Sequence, residues 1–410
     1  MQTKIVSKNF EIPLSHTIDV ALKNGRYSSL HKLFTYNPQE VIDIIKASGL
    51  RGKGGGGAPA GGKWQLAHDY AGIKYLVVNA DESEPGTFKD RQIIAKDPHL
   101  LIEGIIATCY AIGSHVSYVY VRGEYEEFSD ILQSAIDEAY KKNFLGNGAS
   151  YPVDITIHRG AGAYICGEKS ALLESLEGNR GHPRLKPKSP EPEFYFGEPT
   201  LVNNVETIAS VPFIVENGAQ AYRAYGTEQS PGTLLFAISG NITKPGVYEV
   251  AFGTSMHEYI QILGGGVKNG KKLKAVIPGG ASTPILPAHL VKDAKLDYES
   301  LRTLGSSLGT GGMIILDEDA SMVKALKNLL RFYHHESCGQ CTPCREGTSW
   351  VDKTMDKFIA KTATHEDLDI LKSVSQSMNG KTICVFAPAA SGVIDGFLKH
   401  FEAEFLECIV

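Results

Sequence analysis

The sequence predicts an α/β protein in three parts: a domain built on a parallel sheet, a small α+β insert and a helical C-terminal region. Three observations predict it. Apolar runs at 74–79, 116–121 and 153–157 alternate with helical patterns at 97–113 and 125–142, as a parallel α/β sheet requires. From about 231 to 315 the runs shorten and glycines break them, and from about 319 the pattern is helical to the end. The 410 residues exceed one ordinary core, and the composition shifts place boundaries at 1–230, 231–318 and 319–410.

The elements follow in chain order. Residues 40–48, Glu-Val-Ile-Asp-Ile-Ile-Lys-Ala-Ser, read as a short helix, and a glycine loop follows at 52–62. Lys74-Tyr-Leu-Val-Val-Asn79 is a buried strand by its continuous apolar run. The helix over 97–113 opens on Pro98, whose missing N–H costs nothing in a first turn. Val116–Val121 is a second strand, 125–142 a second helix and Val153–Ile157 a third strand. Gly160-Ala-Gly-Ala-Tyr164 leads into a helix over 166–177, and a proline-rich stretch over 183–199 reads as irregular. In the insert, 233–239, 246–250 and 274–277 read as strands around a helix near 255–263.

Hydrophobic residues make up 42% of the chain and charged residues 21%, with a net charge of −5. That is ordinary globular composition, with no basic surface for nucleic acid. No run of 18 apolar residues predicts a membrane span, and the first residues lack the apolar core of a signal peptide.

Four of the seven cysteines carry the strongest chemical signal. Cys338, Cys341 and Cys344 stand at two-residue gaps, and Cys384 lies 40 residues on. Three thiolates so spaced wrap one side of a compact centre and a distant fourth closes it, which is how a [4Fe–4S] cluster is held. The alternative is a structural zinc, but zinc sites usually pair C-x2-C with a second pair or with histidines. Only His334 and His335 lie close by. Ligand cysteines rather than disulfides imply a reducing compartment, hence a cytoplasmic protein or the peripheral arm of a membrane-bound complex.

Seven of the eleven residues over 52–62 are glycine. Gly52, Gly54 and Gly57 satisfy G-x-G-x-x-G, but the loop follows a helix rather than a strand, so the dinucleotide context fails. Gly57 to Lys63 satisfies G-x-x-x-x-G-K, but Trp64 stands where Ser or Thr is required. What remains is a bare backbone that aims N–H groups at a phosphate and admits a flat ring, with Arg51, Lys53 and Lys63 adding positive charge. A flexible linker is the bland alternative, though linkers are usually uncharged. After the first strand, Asn79-Ala-Asp81-Glu82-Ser-Glu84 sits where open α/β sheets bind ligands. Its carboxylates suit sugar or ribityl hydroxyls; a solvated turn and Mg²⁺ binding are the alternatives. Gly167 and Glu168 precede a helix start that attracts anions, and Asn203-Asn204 offers amides that both donate and accept.

Together these segments resemble the NADH-oxidising FMN/[4Fe–4S] flavoprotein of respiratory complex I, and its counterparts in NAD-linked hydrogenases and formate dehydrogenases. The resemblance is carried by Ser48-Gly-Leu-Arg51-Gly-Lys-Gly-Gly, Val78–Arg91, Gly160–Glu168, Ser175-Leu-Glu-Gly, Pro199–Thr207 and Glu336–Gly347. It implies a Rossmann-like FMN domain, a ubiquitin-like β-grasp insert and a C-terminal helical bundle holding a [4Fe–4S] cluster. It implies FMN contacts at Gly52, Lys53, Gly54, Lys63, Asn79, Asp81, Tyr164, Gly167, Glu168, Asn203, Asn204 and Thr207. Glu84 matches a residue on the dinucleotide side, and Glu84 and Glu168 are the candidate catalytic carboxylates. The implied function is electron input: hydride from NAD(P)H to FMN, then single electrons through the cluster. The implied partners are a thioredoxin-like [2Fe–2S] subunit and a larger multi-cluster iron–sulfur subunit.

The chain departs from the family at the nucleotide site. Ala58, Leu66 and Ser189 stand where the family usually has aromatic rings that sandwich the adenine. Stacking is worth about 1–3 kcal/mol per base, and Phe194, Tyr195 and Phe196 are the candidate replacements. Lys169 stands where the family usually has a glutamate facing the adenosine ribose. Attraction of a 2′-phosphate by that lysine is on the order of 4 kcal/mol before solvation losses, and Lys186 and Lys188 add cations. These departures predict tolerance of, or preference for, NADPH. A competing reading is an FMN/[4Fe–4S] electron-transfer module with a degenerate nucleotide site, fed by a reduced protein carrier. A zinc-bound scaffold is a third.

Overall fold

A computed structural model describes residues 2–410. The first sheet has the order β3-β2-β1-β5-β4, built from β1 (Tyr75–Ala80), β2 (Val116–Val121), β3 (Asp154–Arg159), β4 (Glu193–Tyr195) and β5 (Glu198–Asn204). β1 to β3 and β5 run parallel, and β4 is an antiparallel edge on β5. Leu76, Val77 and Val78 of β1 are all buried, as expected of a strand covered on both faces. The helix Pro98–Ile112 returns β1 to β2. It is apolar nearly all round because other helices cover it, and it ends on Gly113 in the left-handed region, φ +75°.

This connectivity places the site. The chain leaves β1 for β2 and β3 on one side and comes back as β5 on the other, with Asn79 paired to Asn204. Strand order therefore reverses between β1 and β5, and a crevice opens beyond their C-terminal ends. The stretch over 183–199 is not irregular throughout: it ends in β4 and the start of β5, and β5 is the central partner of β1. Pro199, Asn203 and Asn204 suppress a strand reading because such residues are depleted in sheets. Pairing with β1 overrides that preference.

The second sheet has the order β7-β6-β10-β8-β9, from β6 (Thr233–Gly240), β7 (Gly246–Ala251), β8 (Leu273–Ile277), β9 (Leu286–Pro287) and β10 (Gly312–Asp317). β6 and β10 are parallel and the other pairs antiparallel. The start of the chain joins this unit. Glu249 of β7 is fully buried and accepts from the backbone N–H groups of Ile5, Val6 and Ser7.

Four helices complete the chain: Met322–Glu336, Thr342–Ala360, His365–Met378 and Phe386–Leu406. Their core is continuous with one face of the first sheet, where Val77, Tyr120, Leu172 and Leu173 pack with Leu326, Val351, Phe386 and Phe397. Each such side chain contributes roughly 1.5–3 kcal/mol by burial, so the cysteine-bearing bundle is fixed to the sheet. Among the described residues no helix is long and apolar enough to cross a membrane.

Candidate functional site

A cavity of about 390 Å³ lies beyond β1 and β5, walled by Gly54–Gly56, the Asp81–Glu84 turn, Tyr164 and Gly167. Its size suits a cofactor-sized ligand. The glycine loop is a pinched hairpin, with Gly52 N–H donating to the Ala58 carbonyl and Ala60 N–H to the Leu50 carbonyl, both at 2.8 Å. The insert clamps it from outside. Tyr298 Oη donates to the Gly52 carbonyl at 3.1 Å. The Arg51 guanidinium lies 4.0 Å over the Tyr298 ring and pairs with Glu299 at 2.6 Å. At Gly57, φ is +61° and a Cβ would lie 2.5 Å from that ring. At Gly56 a Cβ would meet nothing within 4 Å, so the loop leaves a bare backbone cradle on its cavity side.

A buried charge layer supports the cradle. Lys53 pairs with Glu206 at 3.2 Å and donates to Ser210 Oγ at 2.7 Å; Lys89 pairs with Glu206 at 2.9 Å and Asp90 at 2.8 Å. Burial alone would lower the pKa of Lys53, but the Glu206 carboxylate over-compensates and raises it. Burial would likewise raise that of Glu206, but the two ammonium groups hold it low. Loss of one partner from such a buried pair costs about 3–5 kcal/mol. Lys53 thus lines the cavity with its ammonium held in the charge layer, and Thr207 joins it by accepting from Lys53 N–H at 2.9 Å. Neither Gly52, Asn203 nor Thr207 lines the cavity. Asn203 is a buried acceptor for Trp64 Nε1 at 3.2 Å.

The acidic turn divides its labour. Glu82 accepts from the backbone N–H groups of Lys89, Asp90 and Arg91, neutralising the positive end of the helix Asp90–Lys96. Burial, reinforced by Asp90, pushes its pKa up to about 7. Asp81 is also raised to about 7 by burial, opposed by Ser83 and Arg122. Its Oδ2 is buried without a hydrogen-bond partner, an unmet acceptor that costs about 1–3 kcal/mol until a donor reaches it. Glu84 accepts from Tyr164 Oη and from Ser282 N–H, both at 2.6 Å, and burial raises its pKa. Asn79 donates to the Gly167 carbonyl at 2.9 Å, and Asn204 donates to Asp90 at 2.6 Å. Glu168 lines the cavity but caps the helix Lys169–Leu176, accepting from Ser170 and Ala171 N–H at 3.0 Å.

A second groove of about 420 Å³ adjoins the cavity, sharing Glu168, Cys384 and Val385 with it. It contains Lys169, Lys186 and Lys188. Lys169 is not a free cation, because it forms an ion pair with Glu193. Lys63 is likewise absent from the main cavity; burial first and Lys169 second lower its pKa. None of the candidate aromatic replacements lines the cavity or the groove. Tyr195 packs edge-on against Tyr75 at the opposite end of β1, and Phe196 is 68% exposed beside it. Phe194 meets Tyr70.

The four cysteines come together around one small pocket with Ile165 and Phe386. Cys338 follows the helix Met322–Glu336, Cys341 caps the helix Thr342–Ala360, Cys344 lies in its first turn and Cys384 shortly precedes the last helix. Ile383 N–H points to Cys341 Sγ at 3.4 Å, and Ser337 Oγ lies 3.3 Å from Cys344 Sγ. Hydrogen bonds of that kind tune sulfur-ligated iron. Among the described residues no three His, Cys, Asp or Glu side chains converge as a single-ion site. Thiolates around one zinc converge on a point about 2.3 Å from each sulfur; the four-thiol donor set on a shared pocket fits a cluster.

Ile165, Cys384 and Phe386 line both the main cavity and the cysteine pocket. Phe386 and Ile165 carry no sequence signal beyond core hydrophobicity. Ser282 and Thr310 reach the cavity from the insert, a contribution no local pattern announces. Lys89 and Asp90 lie within the Val78–Arg91 motif, but their burial is not legible in it.

The chain is similar to known proteins along nearly its whole length. Residues 45–213 match the Nuo51 FMN-binding domain, 234–315 the SLBB domain and 324–408 the NADH-ubiquinone oxidoreductase-F iron–sulfur binding region. The NADH-quinone oxidoreductase F protein of Rhodobacter capsulatus is 46% identical over 390 residues, covering 94% of this chain and 90% of its own. The NADH-quinone oxidoreductase F 2 protein of Rhizobium meliloti is 44% identical over 407 residues, covering 98% and 96%. A chain of NAD+-reducing [NiFe]-hydrogenase in the H2-reduced state superposes with a TM-score of 0.87 at 33% identity, covering 100% of this chain and 67% of that one.

Proposed function

The chain belongs to the NADH-quinone oxidoreductase F family, and on that premise we propose how its residues perform electron input from NADH. FMN held in the cavity would supply chemistry able to take a hydride from NADH, and a [4Fe–4S] cluster held by the four cysteines would supply one-electron transfer onward. The observation that carries the reading is the shared wall: Ile165, Cys384 and Phe386 line both the glycine-walled cavity and the four-cysteine pocket.

Each group of residues has its own task. Gly54–Gly56 admit a flat ring or a phosphate against bare backbone. The unpartnered Asp81 Oδ2 accepts a ligand hydroxyl, as a ribityl chain offers. Tyr164 holds the Glu84 carboxylate at the dinucleotide side, and Asn79 and Asn204 fix the ends of β1 and β5. Asn203 and Thr207 act from behind, holding the cradle, while Lys53 lines the cavity with its ammonium anchored on Glu206. Cys338, Cys341, Cys344 and Cys384 ligate the cluster. The protein passes electrons to iron–sulfur partners, by resemblance a thioredoxin-like [2Fe–2S] subunit and a larger multi-cluster subunit. A reduced protein carrier as donor is not favoured, since the adjoining groove continues the cavity past Glu168.

The Lys169–Glu193 pair bears on nucleotide choice. A preference for NADPH through Lys169 needs that cation unpaired, and Glu193 pairs with it. The groove therefore favours NADH and tolerates NADPH, with Lys186 and Lys188 the exposed cations. Anaerobic stopped-flow bleaching of the flavin tests this. NADH should bleach faster than NADPH, and Lys169→Glu should slow NADPH about tenfold further by reversing one charge. Faster bleaching by NADPH than by NADH in the unaltered protein contradicts the assignment.

A further inference from the structure

A segment outside the cavity grips the cysteine pocket. Residues 178–184 leave the helix Lys169–Leu176 and cross to the ligand loop. There Arg180 Nη2 donates to the Cys338 carbonyl at 3.0 Å, and His182 Nε2 lies 3.3 Å from the same oxygen. Two side chains thus converge on one backbone oxygen of a ligand cysteine. The turn between them is tight. His182 N–H donates to the Arg180 carbonyl at 2.7 Å, and a Cβ on Gly181 would lie 2.6 Å from Cys166 Sγ. Cys166 is buried, so the segment has little room to shift.

Arg180 differs from the other arginines of this region. Arg184 is paired with Glu174 and Glu177. Arg345 donates to the Gly339 carbonyl but is paired with Glu346. Among the described residues Arg180 has no carboxylate partner, and its guanidinium engages the Cys338 carbonyl alone. An uncompensated cation therefore stands against the ligand loop. A cluster ligated by four thiolates gains one negative charge when it takes up an electron. A fixed positive charge nearby favours the more negative state.

We propose that Arg180 is a positioning residue which, with His182, holds the Cys338 end of the ligand loop and raises the reduction potential of the cluster through its unpaired charge. The proposal rests on the reading of the four cysteines as cluster ligands. The experiment is an EPR-monitored redox titration of the unaltered protein, Arg180→Gln and Arg180→Lys, with iron counted in each. Gln keeps a donor and removes the charge; Lys keeps the charge. In Arg180→Gln the ratio of reduced to oxidised cluster at fixed ambient potential should fall about threefold, a downward shift of about 28 mV at 59 mV per decade. Arg180→Lys should stay at the unaltered value. An unchanged midpoint in Arg180→Gln at full iron, or equal shifts in both variants, overturns the assignment. Unaltered protein without iron overturns the ligand reading beneath it, a failure separable because it precedes any substitution.

Discussion

Replacing Cys384 with alanine should empty the cysteine pocket of iron and cut single-electron output by more than the about 10–100-fold that loss of an outer-shell partner costs at a metal site. The other three thiols lie on one short segment, Cys338 to Cys344, around the start of the helix Thr342–Ala360. Only Cys384 approaches from the far side, on the stretch leading into the helix Phe386–Leu406. Without it one corner of the pocket is open. The flavin cavity is built mainly from Gly54–Gly56, Asp81–Glu84 and Tyr164, so yellow flavin should remain. Iron, acid-labile sulfide and flavin per chain, with reduction of a one-electron acceptor, check the outcome. Full iron content in Cys384→Ala would remove this cysteine from the ligand set.

Gly57→Val should weaken FMN binding by about 10- to 100-fold, from roughly 1–3 kcal/mol of local strain. Two effects add. The position has φ +61°, which a β-branched residue resists, and the Tyr298 ring stands 2.5 Å from where the Cβ would go. Tyr298 cannot yield freely, because its hydroxyl holds Gly52 and Arg51 stacks on its face. The loop must move instead, and Gly54–Gly56 move with it. Flavin retained after desalting and FMN titration by fluorescence quenching measure the change. Gly62→Ala is the control, since a Cβ there meets nothing within 4 Å. Unchanged FMN affinity in Gly57→Val would mean that the cradle is not set by this clamp.

Much of the fold was legible because hydrophobic period reports burial. β1, β2 and β3 and the helices between them announce themselves through apolar runs and through Pro98. β5 did not, since its proline and asparagines oppose a strand and only pairing with β1 makes it one. β10 escaped for a related reason: Gly312–Asp317 follows a run of glycines, and its parallel pairing with β6 spans the whole insert. At the site, the cysteine spacing and the glycine count were readable as local patterns. That Asn203 and Thr207 lie outside the cavity lining was not, because which side of the glycine loop a group occupies depends on tertiary packing. Lys169 shows the same limit. Its charge was legible, but Glu193, which pairs with it from β4, is 24 residues away in the chain.

We propose that NADH-derived electrons cross the wall of Ile165, Cys384 and Phe386 from one site to the other. The most direct measurement is anaerobic addition of excess NADH to the purified protein, followed by flavin absorbance and low-temperature EPR on the same sample. The yellow absorbance should be lost while the signal of a reduced [4Fe–4S] cluster appears. A bleached flavin beside a cluster that stays oxidised, or a protein with neither chromophore, would contradict the proposal.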